Sequence, residues 1–381
     1  MPAGADTEGT THVTSPIPLA HATPDEADIT AALRVLRSGR LVQGPEVAAF
    51  ETEFAALVDG RECVAVNSGT SALWLSLLAL GIGPGNEVVL PAFTFAGTAA
   101  AVRLTGAACV FADIDPRTFC LDAAAAAAAV GPRTAALLPV HLYGHPAAMH
   151  DLVPLARRHG LALVEDAAQA HDAALDGRPV GGFGDAAAFS FYPTKNMQAV
   201  EGGLVATAGP ELAGALRLLR NHGAQERYRH ERVGTNARMS DVNAAIARSQ
   251  LRRLDERTTI RRRNADRLDA ALADVPGVIT AWTAPGARHV RHQYTIRVRE
   301  AALSRDEFAR ALSALGIGNA VHYPVPLHRS PAYRDALDLP HTDRAAAEVL
   351  SLPVHPHLSE SDLDRIAGAV TALARGKKAT T

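Results

Sequence analysis

The sequence predicts an α/β protein: a large domain on a mostly parallel sheet with helices on both faces, then a smaller C-terminal α/β domain. Three observations carry this. From Cys63 to Thr207, short apolar runs fit for buried strands alternate with helical stretches. The chemically conspicuous residues fall at the ends of those runs, where ligands of such sheets sit. After Pro276 the rhythm changes, so residues 17–259 read as the large domain, 260–381 as the small one and 1–16 as a flexible tail.

Glu26 to Ser38 has helical spacing, broken between Gly39 and Pro45, and Glu46 to Val58 is a second helix. Cys63-Val64-Ala65-Val66 is a strand, Asn67-Ser68-Gly69-Thr70 a tight turn, and Ser71 to Leu80 a buried helix. Strand, glycine turn and helix together offer free backbone N–H groups to a phosphate. Val88–Leu90 and Cys109–Phe111 are strands on either side of a helix from Ala96 to Leu104. Asp122 caps a helix made of the alanine run 123–129, alanine being the best helix former. Ala135–Val140 is a strand, Met149–His159 a helix, and Leu161–Val164 a strand ending at Glu165-Asp166. Ala186 to Phe191 reads as a buried strand, and Gly202–Thr207 as another. Glu211–Leu219 and a long stretch from Asp241 to Leu272 are helical, the second long enough to join two domains. Tyr294–Val298 alternates like a strand, Ser304–Leu315 is a helix, Asn319–His322 a strand and Glu360–Ala374 an amphipathic helix.

The formal net charge of −2 leaves no global basic field for nucleic acid or an anionic membrane. Three cysteines, Cys63, Cys109 and Cys120, lack paired metal spacing and argue against a disulfide framework, which fits a reducing cytoplasm. The first sixteen residues lack a basic start followed by an apolar core, so no signal peptide is expected. The uncharged stretch from Asn67 to Asn86 is punctuated by glycines and reads as a buried helix rather than a membrane span.

Of 38 basic side chains only three are lysine: Lys195, Lys377 and Lys378. Two of these lie in the last five residues, which leaves Lys195 as the single lysine of the expected globular body. Arginine keeps its proton and is a poor nucleophile, whereas a desolvated lysine amine deprotonates and condenses with carbonyls. Lys195 follows a buried strand and the turn Pro193-Thr194. It therefore reads as retained for amine chemistry. His141 and His145 have a spacing that binds zinc on a helix, but Gly144 and Pro146 make a loop the better reading, and no metal is expected. No phosphate-binding lysine loop and no Gly-x-Ser-x-Gly turn occurs, and Gly181-Gly182-Phe183-Gly184 reads as a turn.

Over roughly Pro16 to Ala374 the chain resembles the DegT/DnrJ/EryC1/StrS aminotransferases, fold-type I enzymes that use pyridoxal 5′-phosphate. The resemblance rests on Ser68-Gly69-Thr70, Pro91-Ala92-Phe93-Thr94-Phe95, Glu165 to His171, Phe189 to Asn196, Glu201-Gly202-Gly203, Arg220-Asn221-His222-Gly223 and His322-Tyr323-Pro324, in that order. It implies a seven-stranded sheet in the large domain and a cofactor cycling between pyridoxal and pyridoxamine 5′-phosphate. By the resemblance, Lys195 forms the Schiff base with the cofactor and then moves protons. Asp166 partners the pyridine nitrogen, with a helix N-cap as its competing role. Gln169 lies near the ring hydroxyl. Phe95 covers a ring face, with Phe93 the competing candidate. Gly69, Thr70 and Ser190 cradle the phosphate. Asn236 reaches the phosphate of the other subunit, so a homodimer with shared sites is implied. His322 faces the substrate, and Tyr228, Arg229 and His230 border the sugar nucleotide or form a solvated loop.

The resemblance further implies transfer of an amino group from an amino acid, expected to be L-glutamate, to a ketone of a nucleotide-linked sugar. A cyclitol or another secondary-metabolite ketone, or a non-catalytic regulatory role, are the alternatives. Relatives with histidine in place of the lysine act as dehydratases, and Lys195 sets this chain apart from them. Val200 and Asp172 stand where the family commonly has glycine.

Overall fold

The computed structural model describes residues 15–226 and 228–376. Most of the expected tail, together with Lys377 and Lys378, lies outside them. Seven strands form the central sheet: β1 (Glu62–Val66), β2 (Glu87–Pro91), β3 (Ala108–Ala112), β4 (Thr134–Leu137), β5 (Ala162–Asp166), β6 (Ala186–Ser190) and β7 (Gly203–Thr207). Their spatial order is β1-β7-β6-β5-β4-β2-β3. All run the same way except β7, which pairs antiparallel with both β1 and β6. The strands read as continuous apolar runs because helices cover both faces.

Several helices carry their boundaries in local chemistry. Helix α1 (Glu26–Ser38) begins at Asp25, in a reciprocal capping box with Asp28, and ends at Gly39 with φ +72°. Helix α2 spans Pro45–Ala55. Helix α3 (Gly69–Ala79) is capped by Ser68, which accepts from the Ser71 amide at 3.1 Å. It is apolar nearly all round, as suits a helix buried between the sheet and its neighbours. Helix α4 spans Ala96–Leu104, α5 is the alanine run Ala123–Ala129 capped by Asp122, α6 is Met149–His159 and α7 Pro210–Leu219.

The long helix expected from Asp241 to Leu272 is two: α8 (Asp241–Leu251) and α9 (Leu254–Leu272). Arg253 leaves helical geometry at the junction, where its guanidinium donates to the buried Asp28 carboxylate at 2.6 Å and also meets Asp25. This pull comes from α1, more than 200 residues away, so helical spacing alone does not reveal it.

A second sheet of three antiparallel strands, β8 (Val278–Ile279), β9 (Tyr294–Val298) and β10 (Val349–Leu352), packs with α9, α10 (Arg305–Ala314) and α12 (Glu360–Ala374) around its own apolar core. Helix α11 (Pro340–Glu348) leads into β10. That core runs from Ala265 to Ala374 and takes in Ile17, whose backbone pairs with Gly316 and Gly318. The expected boundary at 259/260 falls inside α9. The strand expected at Asn319–His322 reduces to one bridge, Ala320 to Ser351. Beyond it the His322 carbonyl is taken by the Tyr143 hydroxyl rather than by a neighbouring strand.

Candidate active site

A cavity of about 520 Å³ opens where the carboxyl ends of β5 and β6 meet the N-termini of α3 and α4. Eight of the nine expected site residues line it: Gly69, Thr70, Phe95, Asp166, Gln169, Ser190, Lys195 and His322. Asn236 does not. It is exposed on this chain, paired through its backbone with Asn221 and through its side chain with Arg238.

Lys195 follows the β6 end in a turn closed by its own amide on the Tyr192 carbonyl at 2.9 Å. Burial draws its amine down to about 8, against the opposing pull of Asp166. Asn196 braces this turn. Its Nδ2 donates to the Val290 carbonyl at 3.1 Å, and its Oδ1 accepts from His292 Nδ1 at 3.2 Å.

Asp166 is the last residue of β5 and is nearly closed to solvent. Its Oδ2 accepts from the Thr98 hydroxyl at 2.7 Å and its Oδ1 from the Ala168 amide at 3.1 Å. Since Thr98 spends its proton on Asp166, the Thr94 hydroxyl at 3.0 Å must be donor to Thr98. Burial raises the Asp166 carboxyl above its ordinary range, while the Thr98 and Ala168 donors and the Lys195 charge oppose that rise. No helix starts at Asp166; a turn follows, so its N-cap reading reduces to the one bond from Ala168.

Glu165 points to the other face of the sheet. It accepts from the Gly181, Phe183 and Gly184 amides at 2.8–2.9 Å and from His141 Nε2 at 3.1 Å. It is fully buried, yet these donors, led by His141, outweigh the desolvation and hold its carboxyl low. Strand alternation thus separates two adjacent carboxylates, one onto the cavity and one as the anchor of the Gly181–Gly184 turn. His141 also accepts from the Ala147 amide, and His145 is held by Pro146 and Ala284, so neither is a metal ligand. No cluster of metal-binding side chains occurs among the described residues.

At the other end of the cavity, Ser68, Thr70 and Ser190 bring hydroxyls to the α3 N-terminus. The space there is narrow on purpose of backbone approach: a Cβ added at Gly69 would stand 2.7 Å from the Ser190 Cβ. One added at Gly97 would stand 2.9 Å from both the Phe95 ring and the Thr70 hydroxyl oxygen. A helix N-terminus flanked by the Thr70 and Ser190 hydroxyls suits a phosphate, and a buried carboxylate opposite suits a ring nitrogen that carries a proton. These residues fit pyridoxal phosphate.

The two phenylalanines separate cleanly. Phe93 is wholly buried against Phe119 and Tyr323, whereas Phe95 is 58% exposed at the cavity wall. Gln169 accepts from the Tyr143 amide at 2.6 Å and donates to the Tyr323 hydroxyl at 3.3 Å. His322 is tied to Ser351 at 3.1 Å and to Gln293 at 3.2 Å, and burial pulls it to about 4, so it is neutral near pH 7. Arg229 and His230 lie in an exposed two-stranded ribbon with Ala224–Glu226, and do not line the cavity.

Sequence reasoning assigned no role to Thr98, His292, Gln293 or Tyr323, which also line the cavity. Thr98 carries no local signal beyond its place in the first turn of α4. The two departures from glycine prove to be conformational: Val200 has φ +63° and Asp172 φ +68°, where glycine is favoured. Asp172 is held there by Arg288 at 2.5 Å.

The model of the DegT/DnrJ/EryC1/StrS aminotransferase family matches residues 23–371. The erythromycin biosynthesis sensory transduction protein EryC1 of Saccharopolyspora erythraea is 47% identical over 348 residues, 90% of this chain and 94% of its own. The dTDP-3-amino-3,4,6-trideoxy-alpha-D-glucose transaminase of Streptomyces venezuelae is 46% identical over 350 residues, 90% and 91% of the two chains. The crystal structure of S. venezuelae DesV in complex with a ketimine intermediate superposes with a TM-score of 0.90 at 44% identity, covering 95% of this chain and 99% of that one. With its fold-type I architecture and a cavity suited to pyridoxal phosphate, this chain belongs to the DegT/DnrJ/EryC1/StrS aminotransferase family.

Proposed function

We propose that the protein transfers an amino group from an amino acid, L-glutamate in our reading, to the keto group of a nucleotide-linked sugar. The observation that carries this is the sharing of one cavity by the Lys195 amine, drawn down to about 8, and the buried carboxylate of Asp166. The substrate class rests on the Streptomyces venezuelae transaminase, whose name specifies a dTDP-linked amino sugar.

Bound pyridoxal phosphate supplies an aldehyde that carries the amino group and a ring that accepts an electron pair. Lys195 would hold that aldehyde, and its deprotonable amine would serve as the group that moves a proton to or from the substrate carbon. Asp166 would hold a proton at the ring nitrogen, and the Thr98 and Ala168 donors favour its ionised form and orient it. Ser68, Thr70, Ser190 and the amides that follow Gly69 hold the phosphate. Phe95 covers a ring face, and Gln169, itself fixed by Tyr143 and Tyr323, sits beside the ring hydroxyl. His322 meets the substrate as a neutral imidazole. Asn236, exposed and outside the lining of its own cavity, would serve the phosphate of a second copy, which makes the working unit a homodimer.

Purified protein should show a visible absorbance from bound cofactor, and glutamate should shift it in a single turnover. A protein that takes up no pyridoxal phosphate overturns the proposal. Uptake without any response to amino acids favours the non-catalytic role instead. A panel of ketones offered to the glutamate-loaded enzyme then tests the nucleotide-sugar class against cyclitols.

A further inference from the structure

A second cavity, about 650 Å³, is larger than the one at Lys195 and shares no lining residue with it. It lies between the outer side of β9, helix α9 and the 116–119 loop of the large domain. Its volume falls within the range of small-molecule sites.

The lining mixes polar and apolar groups and is unbalanced in charge. Arg117, Arg262, Arg291 and Arg297 face it, against Asp266 and Asp269. Both oxygens of Asp269 are already engaged: Tyr294 donates to one at 2.8 Å, and Arg291 Nη2 to the other at 3.1 Å. Arg291 is 6% exposed; its Nη2 also donates to the Thr283 hydroxyl at 3.2 Å, and its Nη1, closed to solvent, has no partner among the described residues. A buried guanidinium donor left unmet is costly in a folded protein. Arg297 is half-buried and loosely held, with the Pro116 carbonyl at 3.4 Å and Glu348 at 3.8 Å. Trp282 completes the wall with the Arg117 guanidinium 4.2 Å from its ring centre. His289, also in the wall, is kept neutral by burial and by the neighbouring Arg291 charge.

We propose that this cavity binds a small multivalent oxyanion, a polyphosphate or a polycarboxylate, through Arg297 and Arg262 beside Trp282, with the buried Arg291 charge behind them. Planar guanidinium groups match the paired oxygens of phosphate and carboxylate, and Arg297 has donors to spare for such a ligand. Arg291 belongs to the same short segment as His292 and Gln293, which line the cofactor cavity. The two cavities are therefore separated by one stretch of chain, and the site is distinct from the one that holds the cofactor phosphate.

The chain has two tryptophans, Trp74 and Trp282, so Trp74→Phe leaves a single reporter in this cavity. The cofactor-loaded W74F protein is titrated at constant ionic strength with inorganic pyrophosphate and, separately, with citrate. A saturating change in Trp282 fluorescence with either is expected, and the tighter of the two identifies the ligand type. Arg297→Gln should weaken that binding by roughly tenfold, the effect of losing one charge-assisted contact. Arg262→Gln, at an exposed helix position, should weaken it by a smaller factor without touching the core. Absence of any saturable response to both anions overturns the proposal. So does a response that neither R262Q nor R297Q alters; if R297Q does not fold, R262Q decides alone.

Discussion

Thr98 donates its hydroxyl proton to Asp166 at 2.7 Å, and both side chains are buried at the floor of the cavity. The bond stabilises the ionised carboxylate against the burial that raises its pKa. Thr98→Val removes it and drives the Asp166 pKa further up. Since the proposed role needs the carboxylate ionised, the acid limb of the kcat/KM profile should move to higher pH. A profile that superposes on the wild type would remove Asp166 from the proposed role.

The Lys195 amine sits near 8 through desolvation, and Asp166 partly offsets that shift. In cofactor-free protein, acylation of Lys195 by an amine-reactive reagent should titrate with a midpoint near 8. Asp166→Asn withdraws the charge that favours the ammonium form, so the midpoint should fall below 8. Lys195→Arg keeps the positive charge but abolishes the deprotonable amine, and transamination should drop on the order of a thousandfold or more. Undiminished turnover in K195R would contradict the proposed chemistry at its root.

Gly69→Ala places a Cβ against Ser190, so the strand end must shift away from the α3 N-terminus. Cofactor affinity should weaken roughly tenfold, about 1.4 kcal/mol. Because alanine also favours the helix, far-UV circular dichroism should be unchanged. Activity should recover at saturating pyridoxal phosphate.

Phe93 and Phe95 should respond oppositely. Phe93→Ala empties a wholly buried site and should cost about 3–5 kcal/mol of stability in denaturant unfolding. Phe95→Ala removes an exposed ring and should alter stability by less than about 0.5 kcal/mol. Its effect should appear in cofactor binding and kcat.

Subunit mixing tests the role of Asn236. Asn236→Asp sets a carboxylate where a phosphate is expected, and K195R lacks the amine. If each site takes Lys195 from one copy and Asn236 from the other, a mixture of the two inactive variants forms heterodimers with one intact site. Activity regained on mixing is the expected result, and two variants that stay inactive together would remove Asn236 from the shared site.

Much of this protein is written in local chemistry. The alternation of apolar runs and helices, the capping by Asp25, Ser68 and Asp122, and the lone lysine behind a buried strand are all legible because each depends on neighbours in the chain. So is the choice of lysine over arginine, since it rests on what each group does with a proton. Tertiary structure decided the rest. Thr98 reaches Asp166 across 68 residues, Arg253 is drawn out of helical geometry by Asp28, and Phe95 rather than Phe93 is left at the cavity wall. Side-chain type and spacing say which groups are available; only the packing of distant segments determines which of them share one cavity, and it is there that a carboxylate and an amine acquire shifted proton affinities.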